Sequence, residues 1–142
     1  MVFFNSCNTK NQDSKDRDLP IIRDRYFGQN SPSLTPKLFA PGIISIDGRF
    51  ESAVSFSPDL DEIYFSAYAI GENTAIYFSK LEDNKWSPIK KANFTKGKKQ
   101  SEMHPFVSPN GKRIYFTAMD SSFVDERIWY VTRTVDSWSD AI

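Results

Sequence analysis

Apolar positions in this chain fall in short alternating runs separated by turn residues, the pattern of β-strands rather than helices. Glu62 to Tyr68 places Ile63 and Phe65 on one face and Tyr64 on the other. Arg49 to Phe56 alternates less regularly and reads as the strand before it, with Ser57 to Asp61 as the turn between. Thr74 to Leu81, carrying Ile76-Tyr77-Phe78, is a third strand after a Gly71-Glu72-Asn73 turn. Glu82-Asp83-Asn84 turns the chain again, and Lys85-Trp86-Ser87-Pro88-Ile89 starts a fourth.

The same order then repeats. His104 to Val107 is a first strand, Ser108 to Lys112 the turn, Arg113 to Ala118 the second strand, and Arg127 to Arg133 the third. Trp138-Ser139-Asp140 answers Trp86-Ser87-Pro88 at a spacing of 52. Glu51–Ala67 and Glu102–Ala118 are identical at 7 of 17 positions, so the second unit is a copy of the first. Four short strands per unit at a period near 50 predict an all-β fold of two four-stranded antiparallel β-propeller blades. A propeller closes with about 4–8 blades. Two therefore read as an incomplete propeller, a fragment of a longer protein whose open blade edges invite self-association.

The recurring turn residues are Ser57, Pro58 and Asp59, and Ser108, Pro109, Asn110 and Gly111. Asn110-Gly111 supplies the positive φ of a tight turn, and Pro109 stands where no ladder donor is needed. The first copy has Leu60 in the place of Gly111. A leucine resists positive φ, so the first turn is expected to be longer or differently shaped. Recurrence marks these residues as architecture and weakens any reading of them as a site.

Four regions follow: a polar tether at 1–25, a Pro/Ser-rich lead-in at 26–48, a first repeat at 49–99 and a truncated second repeat at 100–142. In the lead-in, Gly42 to Ile46 is a strand candidate closed by an Asp47-Gly48 turn. Eighteen basic and eighteen acidic residues cancel, which argues against nucleic acid as a partner. Cys7 is the single cysteine, so no intramolecular disulfide or cysteine metal site forms.

Two resemblances extend this reading. Met1-Val2-Phe3-Phe4-Asn5-Ser6-Cys7 looks like the back end of a bacterial lipoprotein signal, which implies lipidation at Cys7, the chain's one link to a membrane. The Ser-Pro-Asp/Asn turns feeding Ile-Tyr-Phe, with His104-Pro105-Phe106-Val107 before the second and Ile128-Trp129-Tyr130 and Trp138-Ser139 after it, resemble the WD-repeat-like propeller of TolB. That likeness covers Glu51 to Ile142. It implies a non-catalytic binding module of the cell envelope, periplasmic or lipoprotein, whose partner is a protein or an envelope polymer. An accessory propeller of a serine peptidase, with the catalytic domain outside this chain, is the alternative. Fusion to a peptidoglycan-binding OmpA-like domain is a third.

No catalytic, cofactor or metal constellation is expected. His104 is the lone histidine, in Glu102-Met103-His104-Pro105, and Ala53 holds its place in the first copy. No Gly-x-Ser-x-Gly elbow is present. Asp59, Asp61 and Glu62 lack the spacing of a calcium loop and read as a solvated turn. Lys90, Lys91, Lys96, Lys98 and Lys99 read as a solvated basic stretch between the repeats. The strand aromatics Tyr64, Phe65, Tyr77, Phe78, Tyr115, Phe116, Trp129 and Tyr130 are expected to pack within and between blades.

Overall fold

The computed structural model describes residues 26–30, 33–120 and 125–142. Cys7 and the tether at 1–25 lie outside the described residues. What is described is all-β, with no helix. Strands β1 (Arg49–Phe56), β2 (Glu62–Ala69), β3 (Ala75–Glu82) and β4 (Lys85–Trp86) form one antiparallel sheet in that order, and β5 (Lys90–Lys91) also pairs with β3. A second antiparallel sheet has the order β6 (Ser101–Val107), β7 (Arg113–Met119) and β8 (Arg127–Thr132).

The repetition extends to individual hydrogen bonds. Phe78 pairs with Lys90 in the first sheet. Fifty-two positions on, Tyr130 and Ile142 exchange two backbone bonds of 3.0 Å. The Ser87 N–H donates to the Lys80 carbonyl at 2.8 Å, and the Ser139 N–H to the Thr132 carbonyl at 2.9 Å. The Ser87 and Ser139 hydroxyls each accept the return bond at 3.0 Å. Both outer strands are therefore broken at Trp-Ser rather than running on as one strand, because the serine hydroxyl replaces a ladder partner. The fourth strand predicted to start over Lys85–Ile89 is thus two short pieces, Lys85–Trp86 and Lys90–Lys91. The hairpin before it has φ of 50° at Asp83 and 59° at Asn84, the two left-handed residues that a primed two-residue turn demands.

Both Ser-Pro turns have one shape, which corrects the expectation for the first. Leu60 takes φ 57° and Gly111 φ 67°. The Leu60 N–H donates to the Ser57 carbonyl at 2.9 Å, and the Gly111 N–H to the Ser108 carbonyl at 2.8 Å. Flanking bonds over-determine the turn. The Ser57 hydroxyl accepts from the Glu62 N–H and Ser108 from the Arg113 N–H, each at 2.9 Å. The two serine N–H groups close the hairpins onto Glu62 and Arg113, again at 2.9 Å. Leucine is held in the left-handed region at a cost of roughly 1–2 kcal/mol.

The lead-in covers the first sheet, but Gly42 to Ile46 is not a strand. The N–H groups of Ile43, Ile44 and Ser45 all converge on the Ala40 carbonyl, at 3.0, 2.9 and 3.3 Å. Gly42, at φ 80°, permits this coil, which drops Ile44 into the core. Phe27, Ala40 and Ile44 pack with Ile63, Phe65 and Ala67 on that face. Phe27 stacks on Trp86 at 4.3 Å.

The second sheet covers the opposite face. Tyr64, Ile76 and Phe94 are buried with Ile114, Phe116, Ala118 and Val131 between the sheets. Strand β6 makes two of the polar joins. The His104 N–H donates to the Ser66 hydroxyl at 2.7 Å, and the Val107 N–H to the Ser55 hydroxyl at 2.9 Å. Both first strands carry a register shift, between Ser52 and Ser55 and between Met103 and Phe106. Within each shift one residue turns left-handed, Ala53 at φ 51° and His104 at φ 55°.

Candidate functional site: the face between the sheets and the face beyond

In each repeat a glutamate at the start of the first strand ties down the connection before it. Glu51 accepts from the Ile46 N–H at 3.2 Å. Glu102, buried, accepts from the Phe94 N–H at 3.1 Å, the Thr95 N–H at 2.6 Å and the Thr95 hydroxyl at 2.7 Å. The Glu102-Met103-His104 run therefore holds a structural carboxylate. His104 is exposed, and its ring Nδ1 lies 3.5 Å from the Thr117 hydroxyl. Its backbone does the joining, which is why alanine serves at the matching place.

The polar cluster between the sheets centres on Glu62. Glu62 is 6% exposed. It receives Arg133 in a fork, with Nη1 at 3.1 Å and Nη2 at 2.5 Å. Lys80 Nζ lies at 3.1 Å, and the Tyr64 hydroxyl donates at 3.1 Å. Trp138 Nε1 donates to that hydroxyl at 3.3 Å, while the Arg133 guanidinium lies over the Trp138 ring at 4.3 Å. Arg133 Nε also donates to the Gly111 carbonyl at 2.9 Å. Burial pushes the Glu62 carboxyl up, but hydrogen bonds from Arg133 and Lys80 and the pull of both charges outweigh it, and the net shift is downward. Burial, then the Glu62 charge, push the Tyr64 phenol far above its ordinary value. Glu62 raises Arg133 in turn, chiefly through its hydrogen bonds. One strand-start residue of the first repeat thus grips the end of β8 in the second. This corrects the reading of Asp59, Asp61 and Glu62 as a solvated turn: Glu62 is buried because Arg133 and Lys80 compensate its charge.

The expected turn residues are placed together. A Cβ on Gly111 would stand 3.5 Å from Pro58 Cδ, so the two Ser-Pro turns lie side by side. The Ser57 hydroxyl donates to Asp61 at 2.6 Å, and Ser108 to the Asn110 side chain at 2.8 Å. Pro58, Asp59, Pro109 and Asn110 are exposed. Among the described residues no group of three or more His, Cys, Asp or Glu is placed to hold a metal.

The basic stretch divides. Lys96 pairs with Asp140, and Lys99 lies 3.1 Å from Asp125. Lys90, Lys91 and Lys98 are exposed. A pocket of about 320 Å³ opens here, lined by Thr74, Lys91, Asn93, Lys99, Gln100 and Glu102.

The outer face of the second sheet repeats the face that the first sheet buries. Phe106 pairs with Tyr115 and Tyr115 with Tyr130, so the three form one row across β6, β7 and β8. The matching row of the first sheet is Ser55, Tyr64 and Phe78. Thr117 pairs with Ile128 as Ser66 pairs with Ile76. Ile76 is 0% exposed and Ile128 is 79% exposed. The aromatics were expected to pack in the core. Tyr64, Phe65 and Phe116 are buried in it, whereas Tyr115 and Tyr130 stand half-buried on this outer face. No protein-family model matches the chain, and no curated protein matches it.

Proposed function

We propose that the chain is a non-catalytic binding module of the bacterial cell envelope, built of propeller-type blades similar to those of TolB and tethered through a lipid on Cys7. The observation that carries this reading is the duplication itself. Two sheets reproduce one turn at Ser57 and Ser108, one carboxylate tie at Glu51 and Glu102, and one broken outer strand at Ser87 and Ser139. A stack of equivalent sheets with an uncovered terminal face suits recognition by surface complementarity, with a protein or an envelope polymer as partner. The turn serines Ser57 and Ser108 hold the fold, and the outer face and the Lys91 pocket are the surfaces offered to a partner.

Two measurements test it. Expressed from its own gene in a bacterial host fed labelled palmitate, the protein takes up label and its Cys7→Ser variant does not. Equal labelling of both, or none of either, removes the envelope tether. Purified chain titrated with peptidoglycan sacculi and with solubilised envelope proteins binds one of them saturably, and Ile128→Asp weakens that binding. Steady turnover of peptide or ester substrates in proportion to protein concentration overturns the non-catalytic assignment.

A further inference from the structure

On the buried face, the residue that opens β2 is Glu62, and the sheet stacked above delivers Arg133 to it. On the outer face the residue that opens β7 is Arg113, at the same place in the repeat. Arg113 is exposed, bonds the Tyr115 hydroxyl at 3.2 Å, and lies over the Tyr130 ring at 5.0 Å. The charge at the receiving position is reversed, while the surrounding surface keeps its character: Tyr115 for Tyr64, Thr117 for Ser66, Ile128 for Ile76. Exposed apolar rows rimmed by a charge mark an interaction surface.

We infer that the outer face of the second sheet is a docking surface for a further β-sheet that brings a carboxylate onto Arg113, in the place where the second sheet brings Arg133 onto Glu62. The occupant is a β-sheet partner with Asp or Glu at the place that Arg133 holds in the second sheet. A second copy of this chain does not meet that description. Its first sheet carries Leu81 there and has the corresponding face filled by Phe27, Ala40 and Ile44. The inference rests on the stacked-sheet part of the proposed function and is independent of its cellular location and of catalysis.

The probe is the full chain with a copy of residues 91–142 appended as a third repeat. One form keeps the appended arginine that corresponds to Arg133, and the other carries Arg133→Glu in the appended copy only. Each is made with and without Phe106→Ser, which restores the small residue that Ser55 supplies on the buried face. The glutamate form is expected to fold about tenfold more favourably, since like charges face each other in the arginine form. Arg113→Glu in the receiving sheet is expected to reverse that preference. Hydrogen exchange at Tyr115, Ile128 and Tyr130 is expected to slow when the third repeat is present. Equal stability of the two forms, no reversal by Arg113→Glu, or an appended repeat that stays unfolded in every form overturns the inference. So does full protection of Ile128 in the unextended chain, whether from its own residues or from a second copy.

Discussion

Neutralising Glu62 is the perturbation that reports most directly on how the two sheets are joined. Glu62→Gln keeps the shape and removes the charge; Arg133→Met keeps the stem over Trp138 and removes the fork. Breaking a buried ion pair by deleting one partner costs about 3–5 kcal/mol. That figure must be discounted here. Arg133 is 35% exposed, which weakens the Coulomb attraction through solvent screening, and Lys80 remains as a second cation at 3.1 Å. Each single substitution is therefore expected to cost about 2 kcal/mol, with a coupling of about 1.5 kcal/mol between them. Urea unfolding of the wild type, both single variants and the double variant supplies the cycle. The pH dependence is a second readout. The Glu62 carboxyl sits lower in the folded chain than its ordinary value, so the folded state holds fewer protons there than the unfolded state. Its contribution is complete above the unfolded carboxyl pKa of about 4.3 and is lost as pH falls through the lower folded value. Wild type is expected to lose stability below about pH 5 more steeply than Glu62→Gln. A coupling under about 0.5 kcal/mol, together with parallel pH curves, refutes the clamp.

Leu60→Gly relieves a left-handed leucine at φ 57° and is expected to stabilise the chain by about 0.5–1 kcal/mol, net of the extra freedom of glycine when unfolded. A lower urea midpoint than wild type would contradict it. Phe27→Ala strips the ring stacked on Trp86 and is expected to cost about 3 kcal/mol, with Trp86 emission shifting to the red. An unchanged emission maximum would show that the lead-in does not cover that face in solution.

The strand order, the place of both turns and the period of the repeat were legible because local chemistry sets them. Alternation fixes which residues of β2 and β7 share a face, and Ser-Pro sets the hairpin. Leu60 defied its own propensity because the Ser57 hydroxyl and the ladder on either side hold the backbone, and those bonds are made by the residues around Leu60 and not by its own side chain. Gly42 to Ile46 read as a strand because its apolar residues are contiguous, yet Ser45 bridges only back to Pro41 and the segment coils onto the Ala40 carbonyl instead. The Glu62 cluster was read as a solvated turn. Its partner Arg133 is 71 residues away, and no spacing rule reaches that far. The outer face was least legible: Tyr115 and Tyr130 have the same local text as Tyr64 and Phe78, and only the stacking order separates them.

The lead-in sits where another sheet would sit. Phe27, Ala40 and Ile44 occupy the side of the first sheet that matches the side of the second sheet pressed against the first. A ring of such sheets would need its last member to land on that same surface. Sealing the circle and keeping the lead-in docked are therefore competing occupancies of a single face. A further sheet could take that face only by displacing Phe27 from Trp86, so the two ends of this pair of sheets are not equivalent for adding another.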